Sequence, residues 1–253
     1  MRGFFIALTF LTRIPLPESK REVTPDEFAR SMIYYPLVGL LMGLILWLAA
    51  KVFILCFPPL VAAALIMAAG IMLSGGIHLD GFMDSMDGLL SARSPESALE
   101  IMKDSRVGAH ACISLVCLLI LKFSLIYALI ELQFTVILLI MPLISRWVFQ
   151  IGVICFPYAR EEGLGKNFKA QAGRAAFLLS GVLVSGASFL IADYAGVIAF
   201  GVCTVVITLL AWAFSAILGG LTGDLYGALI EIAEVVCLLA VMPFLYYFKG
   251  PYF

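Results

Sequence analysis

The chain has 253 residues, of which 63% are hydrophobic and only 13% are charged, and its mean hydropathy is +1.08. A soluble domain is about 45–50% apolar and about 25% charged, so a water-soluble fold is excluded because it could not bury this much apolar surface. The formal net charge of −1 gives no basic field that would favour a nucleic-acid partner. We therefore expect a lipid bilayer to surround most of the chain.

The N-terminal segment is apolar from Gly3 to Leu11 and ends at Arg13 and two prolines. It is too short to span a bilayer, which needs about 20 residues, and no small-residue cleavage site follows it. We expect it to be retained as a re-entrant or interfacial segment. Arg13 could reach a ligand at the membrane surface, or its side chain could extend to the lipid headgroups.

Seven further apolar runs are long enough to cross a membrane. Backbone groups in lipid must be hydrogen-bonded within their own segment, so these runs are predicted to be helices. The sequence thus predicts an all-α polytopic membrane helix bundle with about seven transmembrane helices, forming a single integral membrane domain over residues 1–253. The predicted spans are 33–56, 58–76, 107–130, 133–156, 175–193, 196–219 and 226–248.

The distribution of basic residues predicts the orientation of these helices. If the N-terminus is cytoplasmic and the spans alternate, twelve of the 16 Lys and Arg residues lie in cytoplasmic segments, and only Lys51 and Lys249 lie outside. Cytoplasmic loops carry this excess of positive charge in membrane proteins. We therefore expect the polar segments 18–31, 77–106 and 157–174 to face the cytoplasm, together with the glycine-rich stretch 219–227.

The most acidic of these segments begins at Gly75-Gly76. Asp80, Asp84 and Asp87 stand at positions i, i+4 and i+7, which share one face of a helix. Three carboxylates at this spacing repel one another unless a cation lies between them, and their hard oxygen atoms suit Mg²⁺, Mn²⁺ or Ca²⁺. Because Mg²⁺ takes one or two carboxylates together with substrate phosphates, the stripe fits a pyrophosphate substrate. The alternative is a solvated helix face outside the bilayer.

A second helix is predicted to start at Ser94, because Ser-Pro-Glu combines an N-cap, a proline at the first helical position and an acid near the positive end of the helix dipole. Asp104 near its end can return a fourth carboxylate to the stripe. The only two histidines, His78 and His110, could act as a general base or serve a structural role. Cationic side chains that can grip phosphate oxygens here are Arg93, Lys103 and Arg106.

Two more polar stretches are candidate binding loops. Arg160 and Glu161 lie between aromatic and glycine residues in a segment that suits phosphate or ribose binding, or a solvated connector. Thr222 and Asp224 open the last helix, where the glycine-rich start Gly-Gly-Leu-Thr-Gly is a natural anion cradle. Glu231 and Glu234 follow within the span, where ionisable groups are costly and usually functional. Alternatively, they pair with Lys122 or Arg146 and hold the helices together.

These segments, taken in order, resemble the cobalamin synthase family (adenosylcobinamide-GDP ribazoletransferase). The resemblance covers nearly the whole chain, and its most specific part is the long acidic motif with the Asp-Ser-Arg that follows it. The similar stretches are 10–17, 35–39, 75–88, 91–94, 100–108, 158–165 and 219–227.

The resemblance implies that a ribose hydroxyl of α-ribazole, or of its 5′-phosphate, attacks the cobinamide-side phosphorus of adenosylcobinamide-GDP, and that GMP leaves. It implies Mg²⁺ as cofactor and an inner-membrane location, and it is compatible with a homo-oligomer. Asp80, Asp84, Asp87 and Asp104 would hold the metal. Asp104 or His78 would take the hydroxyl proton, with Arg93 and Arg106 as further catalytic groups. The residues implied in substrate binding are Arg13, Lys103, Arg160, Glu161, Thr222, Asp224 and Glu231.

Rival functions remain open at this point. CDP-alcohol phosphotransferases carry D-x2-D-G-x2-A-R followed by G-x3-D-x3-D; here three residues separate Gly88 from Ala92-Arg93, and the second half of the motif is missing. An ion-coupled transporter would use the charges inside the spans as a midplane path, but it would leave the Asp stripe without a role. A purely structural membrane subunit would tolerate loss of the stripe.

Overall fold

The computed structural model describes residues 2–16, 22–91, 94–160 and 173–248. Helices dominate this part of the chain, which confirms the predicted all-α membrane bundle. A single 3-10 turn, Met32–Tyr34, links α2 to α3. The helices are α1 (Arg2–Leu11), α2 (Pro25–Ser31), α3 (Tyr35–Cys56), α4 (Pro59–Ser74), α5 (Ile77–Ser91), α6 (Pro95–Ile101), α7 (Ala109–Glu131), α8 (Ile137–Cys155), α9 (Arg174–Leu218) and α10 (Gly223–Phe248).

Five stretches are long and apolar enough to span a membrane: Pro25–Cys56, Ala109–Glu131, Ile137–Cys155, Ala175–Leu218 and Gly223–Tyr247. The bent pair α4 and α5 brings this number to six if the two are taken as one span; α5 turns away from α4 by 91°. The sequence predicted about seven spans because it counted α4 alone and divided α9 into two.

The division of α9 has a structural basis. Its backbone leaves helical geometry at Ala192 and Asp193, where Asp193 has a φ of 54°. Gly196 then packs against the backbone of Ser188, so closely that a Cβ would collide with it. At 1.5 Å per residue a straight helix of this length would measure about 66 Å, which is about twice the bilayer core. The chain therefore reverses at this break, which divides α9 into two arms.

Helix α8 forms the centre of the bundle, and most of its side chains are buried. Helix α3 approaches it through Gly39 and Gly43, which are four residues apart. An added Cβ would lie 2.7 Å from the carbonyl carbon of Pro142 at Gly39, and 2.8 Å from that of Leu139 at Gly43. Small residues at this spacing let helix backbones pack closely in lipid, where no hydrophobic force between helices is available.

Four charged side chains meet inside the bundle, and we call them the buried ion cluster: Lys122 of α7, Arg146 of α8, and Glu231 and Glu234 of α10. The Lys122 Nζ lies 3.0 Å from Glu231 Oε2 and 2.5 Å from Glu234 Oε2, and Arg146 Nη1 bonds the other oxygen of Glu234. Two positive and two negative charges balance, and all four residues are buried. This is the pairing that the sequence offered as the alternative to a functional role for Glu231.

We expect Gly43→Ala to destabilise the protein, because the added methyl group meets backbone atoms of α8 that cannot rotate away. Overpacking of this kind costs about 1–3 kcal/mol, which corresponds to about 2–4 °C in Tm per kcal/mol for a chain of this size. Thermal unfolding in detergent measures the effect. Gly201→Ala is the matched control, because among the described residues no atom beyond its own neighbouring helix backbone lies within 4 Å of its Cβ position. Equal Tm changes in both variants would contradict the close α3–α8 contact.

Candidate functional site

The α4–α5 turn forms one side of the candidate site. Gly75 and Gly76 have φ values of 67° and 72°, which other residues rarely adopt. The N-terminal segment reaches this turn, because the backbone N–H of Arg13 donates to the Leu73 carbonyl at 2.8 Å. A Cβ at Gly75 would lie 2.6 Å from Cγ of Arg13, so the arginine stem lies directly over the glycine. Arg13 itself is exposed at this end of the bundle.

The acidic stripe lies on α5, as predicted, but its three carboxylates have different surroundings. Asp80 is exposed, Asp84 is half-buried and Asp87 is buried. Both oxygens of Asp87 accept hydrogen bonds from the start of α7, at 2.5 Å from the Gly108 N–H and 2.8 Å from the Ala111 N–H. Asp87 therefore supplies the N-terminal cap of α7, which the sequence did not reveal because the partner helix lies 21 residues further on.

Helix α5 crosses the first turn of α10 at very close range. A Cβ at Gly81 would lie 2.8 Å from the Asp224 carbonyl oxygen and 3.1 Å from its Cα, and one at Gly227 would lie 3.2 Å from the His78 carbonyl oxygen. This crossing brings Asp224 beside the acidic stripe. The sequence analysis predicted the two segments separately and did not predict this contact.

The electrostatics of Asp84 reflect this arrangement. Partial burial, together with the negative charges of Asp80 and Asp224, raises the pKa of Asp84 to about 6, although Arg160 acts in the opposite direction. A carboxyl group with this environment holds a proton near pH 6 unless a cation neutralises the cluster.

A second polar segment completes this side of the site. The Ala159 N–H donates to the Leu221 carbonyl and the Leu221 N–H donates to the Pro157 carbonyl, each at 2.8 Å. This pairing holds Arg160 against Asp224, with 2.8 Å between Nη2 and Oδ2. Thr222 is fully buried, and its hydroxyl accepts from the Leu225 N–H at 3.2 Å, so it caps the start of α10.

Asp104 and Arg106 pair with each other in the exposed segment between α6 and α7. The arginine Nε lies 3.0 Å from both carboxylate oxygens, and this contact lowers the pKa of Asp104 to about 2. Asp104 is therefore a weak proton acceptor near neutral pH. Lys103 beside it is exposed.

The remaining predicted residues lie elsewhere. His78 is buried at the start of α5, and its Nδ1 has no hydrogen-bond partner among the residues that the structure describes. Glu231 belongs to the buried ion cluster, about two turns along α10 from Asp224. Arg93 and Glu161 lie outside the described residues. Within the part of the chain that the structure describes, no three Asp, Glu, His or Cys side chains converge closely enough to hold a metal ion by themselves.

Comparison with known proteins gives a consistent family match. The family model described as cobalamin-5-phosphate synthase matches residues 3–242. The chain is 51% identical over 251 residues to an adenosylcobinamide-GDP ribazoletransferase of Desulfitobacterium hafniense, covering 97% of this chain and 98% of that protein. It is 42% identical over 251 residues to the protein of the same name from Pseudomonas fluorescens, covering 96% and 100% of the two chains. No solved structure matches.

We expect Asp87→Ala to lower stability, because two N–H groups at the start of α7 lose their charged acceptor. Hydrogen bonds to charged groups contribute about 1.5–3 kcal/mol each when lost, so Tm should fall by several degrees. Asp80→Ala is the control, since Asp80 is exposed and such substitutions usually stay within about 0.5 kcal/mol. If both variants unfold at the wild-type temperature, Asp87 does not cap α7.

The raised pKa of Asp84 predicts a pH-dependent stability in the absence of divalent cations. The folded state holds the proton up to about pH 6, whereas the unfolded chain releases it near pH 4. Stability should therefore fall as pH rises through this window and level off above it. Thermal unfolding in EDTA from pH 4 to 7 tests this. Asp84→Asn should remove that part of the slope, and Asp193→Asn, at the exposed break in α9, should preserve it.

Proposed function

This chain belongs to the cobalamin-5-phosphate synthase family, and we propose that it is an adenosylcobinamide-GDP ribazoletransferase, the activity for which its relatives in Desulfitobacterium and Pseudomonas are named. The reaction joins adenosylcobinamide-GDP to α-ribazole or its 5′-phosphate. A P–O bond forms between the ribose oxygen and the cobinamide-side phosphorus, and the bond to GMP breaks. The hydroxyl proton is released, and GMP departs with the bonding electron pair.

The observation that carries this proposal is the meeting of the α5 stripe with the Arg160–Asp224 pair. Carboxylates for a cation and a guanidinium for phosphate oxygens lie next to each other at the end of the bundle where Arg13 also lies. A diphosphate substrate needs both kinds of group, because its own negative charge must be neutralised before a nucleophile can approach. The rest of the substrate can extend into water.

We propose Mg²⁺ as the cofactor of this site. The donor set suits an ion that takes one or two carboxylates and completes its shell with water and substrate phosphates, which agrees with the lack of a closed three-carboxylate group among the described residues. Asp80 and Asp84, one turn apart on α5, would hold it. Asp87 already accepts a hydrogen bond from the start of α7, and Asp104 already pairs with Arg106. When bound, Mg²⁺ would neutralise the diphosphate and the leaving GMP.

The protein's own residues then have separate tasks. Arg160, held by Asp224, is positioned to donate to a phosphate oxygen, and Arg13 offers a second guanidinium from the N-terminal segment. The partial burial of Asp84 excludes part of the water around the reacting group, which strengthens these interactions.

We further propose that the site faces the cytoplasm from the inner membrane. The support is the excess of Lys and Arg in the segments on this side. The candidate site is built from the ends of α4 and α8 and the starts of α5 and α10, which meet at one end of the bundle. Soluble nucleotide substrates would then reach it directly.

The test is GMP release from adenosylcobinamide-GDP by the purified protein in liposomes, with α-ribazole phosphate, with and without Mg²⁺. We expect release that depends on both the acceptor and Mg²⁺. Asp84→Asn should reduce it by at least about 100-fold, in the range reported for loss of one charge-stabilising group in an active site. Asp193→Asn is the matched control. Binding of Mn²⁺, followed by its electron paramagnetic resonance signal, should weaken in Asp84→Asn alone.

Absence of GMP release from folded wild-type protein would overturn the proposed reaction. Normal release by Asp84→Asn would leave the reaction in place and remove Asp84 from it.

A further inference from the structure

A groove separate from the candidate site lies at the same end of the bundle as that site. It has a volume of about 470 Å³ and lies between α1, α2, the end of α8 and the start of α9. Gln150 and Ile154 of α8 line it, whereas Phe149 and Gly152 contact Tyr226 beside the candidate site. Helix α8 therefore separates the two.

Both charged and apolar side chains line this groove. Its apolar part includes Ile6, Ile33 and Phe177, and its charged residues within the described chain are Arg2, Arg30 and Glu27. The Arg2 Nη2 lies 3.4 Å from Glu27 Oε2, and about a third of each side chain is exposed. The same Nη2 also donates to the Glu22 carbonyl at 3.0 Å. Because an exposed ion pair of this length contributes little, a phosphate oxygen can compete with Glu27 for the guanidinium.

The position of the groove indicates what kind of molecule it takes. It lies where α8 ends and α9 begins, which is the boundary between the spanning helices and water. Next to it, the lipid-facing surface is apolar, with Ile33, Leu37 and Leu178 each about half or more exposed. A ligand with a charged head and an apolar body matches both surfaces, and basic pockets between membrane helices bind lipid headgroups in this way.

We propose that this groove binds a glycerophospholipid, with its phosphodiester between Arg2 and Arg30 and the first part of its acyl chains along Ile33 and Phe177. The bound lipid holds α1 against the bundle. Helix α1 ends at Leu11, and two residues later the Arg13 N–H bonds to the α4–α5 turn, so the lipid also fixes the N-terminal wall of the candidate site. This inference stands on the groove alone and does not depend on the reaction proposed above.

The experiment uses full-length protein that has been stripped of lipid in detergent. We expect phosphatidylglycerol to raise Tm in a saturable manner, as a ligand of the folded state does, whereas diacylglycerol and inorganic phosphate should each fail to do so. Ala176→Trp fills the groove, so the affinity of this variant for phosphatidylglycerol should be at least 10-fold lower than that of the wild type. The control is Ala175→Trp, the exposed neighbour that does not line the groove, and it should bind as the wild type does.

Equal lipid affinity in the two tryptophan variants would overturn the proposal. An equal rise in Tm with diacylglycerol would also overturn it, because the headgroup would then not be needed for binding. So would an equal rise with phosphate alone, which would indicate a soluble ligand. If Ala176→Trp does not fold, Arg30→Gln tests the headgroup contact, with Lys51→Gln on α3, outside the groove, as its control. Unchanged affinity in Arg30→Gln would then reject the site.

Discussion

The close crossing of α5 and α10 is the contact on which the candidate site depends. Gly81 presents no side chain, so the backbone of Asp224 reaches the surface of α5. A methyl group at this position would meet backbone atoms, which cannot move aside without shifting a whole helix. Because of this contact, carboxylates that are about 140 residues apart in sequence come to share one electrostatic environment.

The buried ion cluster fixes the depth of α10 relative to its neighbours. Glu231 and Glu234 lie two to three turns beyond Asp224 and bond to Lys122 of α7 and to Arg146 of α8. A slip of α10 by one turn would separate these charges inside the membrane, where an unpaired charge costs several kcal/mol. Such a cluster adds little net stability, but it penalises wrong registers strongly. The first turn of α10 is thereby held opposite Gly81.

Much of the fold could be predicted from the sequence, because in lipid the length of an apolar run and its need for internal hydrogen bonds determine the element. The reversal at Ala192–Asp193, the start of α6 at Ser94 and the single-helix stripe of Asp80, Asp84 and Asp87 follow from local patterns. Long-range partners could not be predicted in this way. A carboxylate looks the same in sequence whether it caps a distant helix, as Asp87 does, or faces water, as Asp80 does. The predicted set of four metal-binding aspartates grouped residues by type and spacing, whereas in the structure each of the four has different surroundings.

The different surroundings of Asp80, Asp84 and Asp87 bear on the order in which a cation and a diphosphate would bind. The charged groups that act on Asp84 are three carboxylates and one guanidinium, and Asp87 among them is already offset by the start of α7. Asp80, Asp84 and Asp224 therefore face Arg160 with an excess of negative charge. An anionic diphosphate entering such a cleft would be repelled, since two like charges about 4 Å apart near a protein surface interact by about 4 kcal/mol. A divalent cation that binds before or with the substrate would turn this repulsion into an attraction. Under the proposed function, the same excess of carboxylates that raises the pKa of Asp84 would favour binding of the cation first and of the phosphate second.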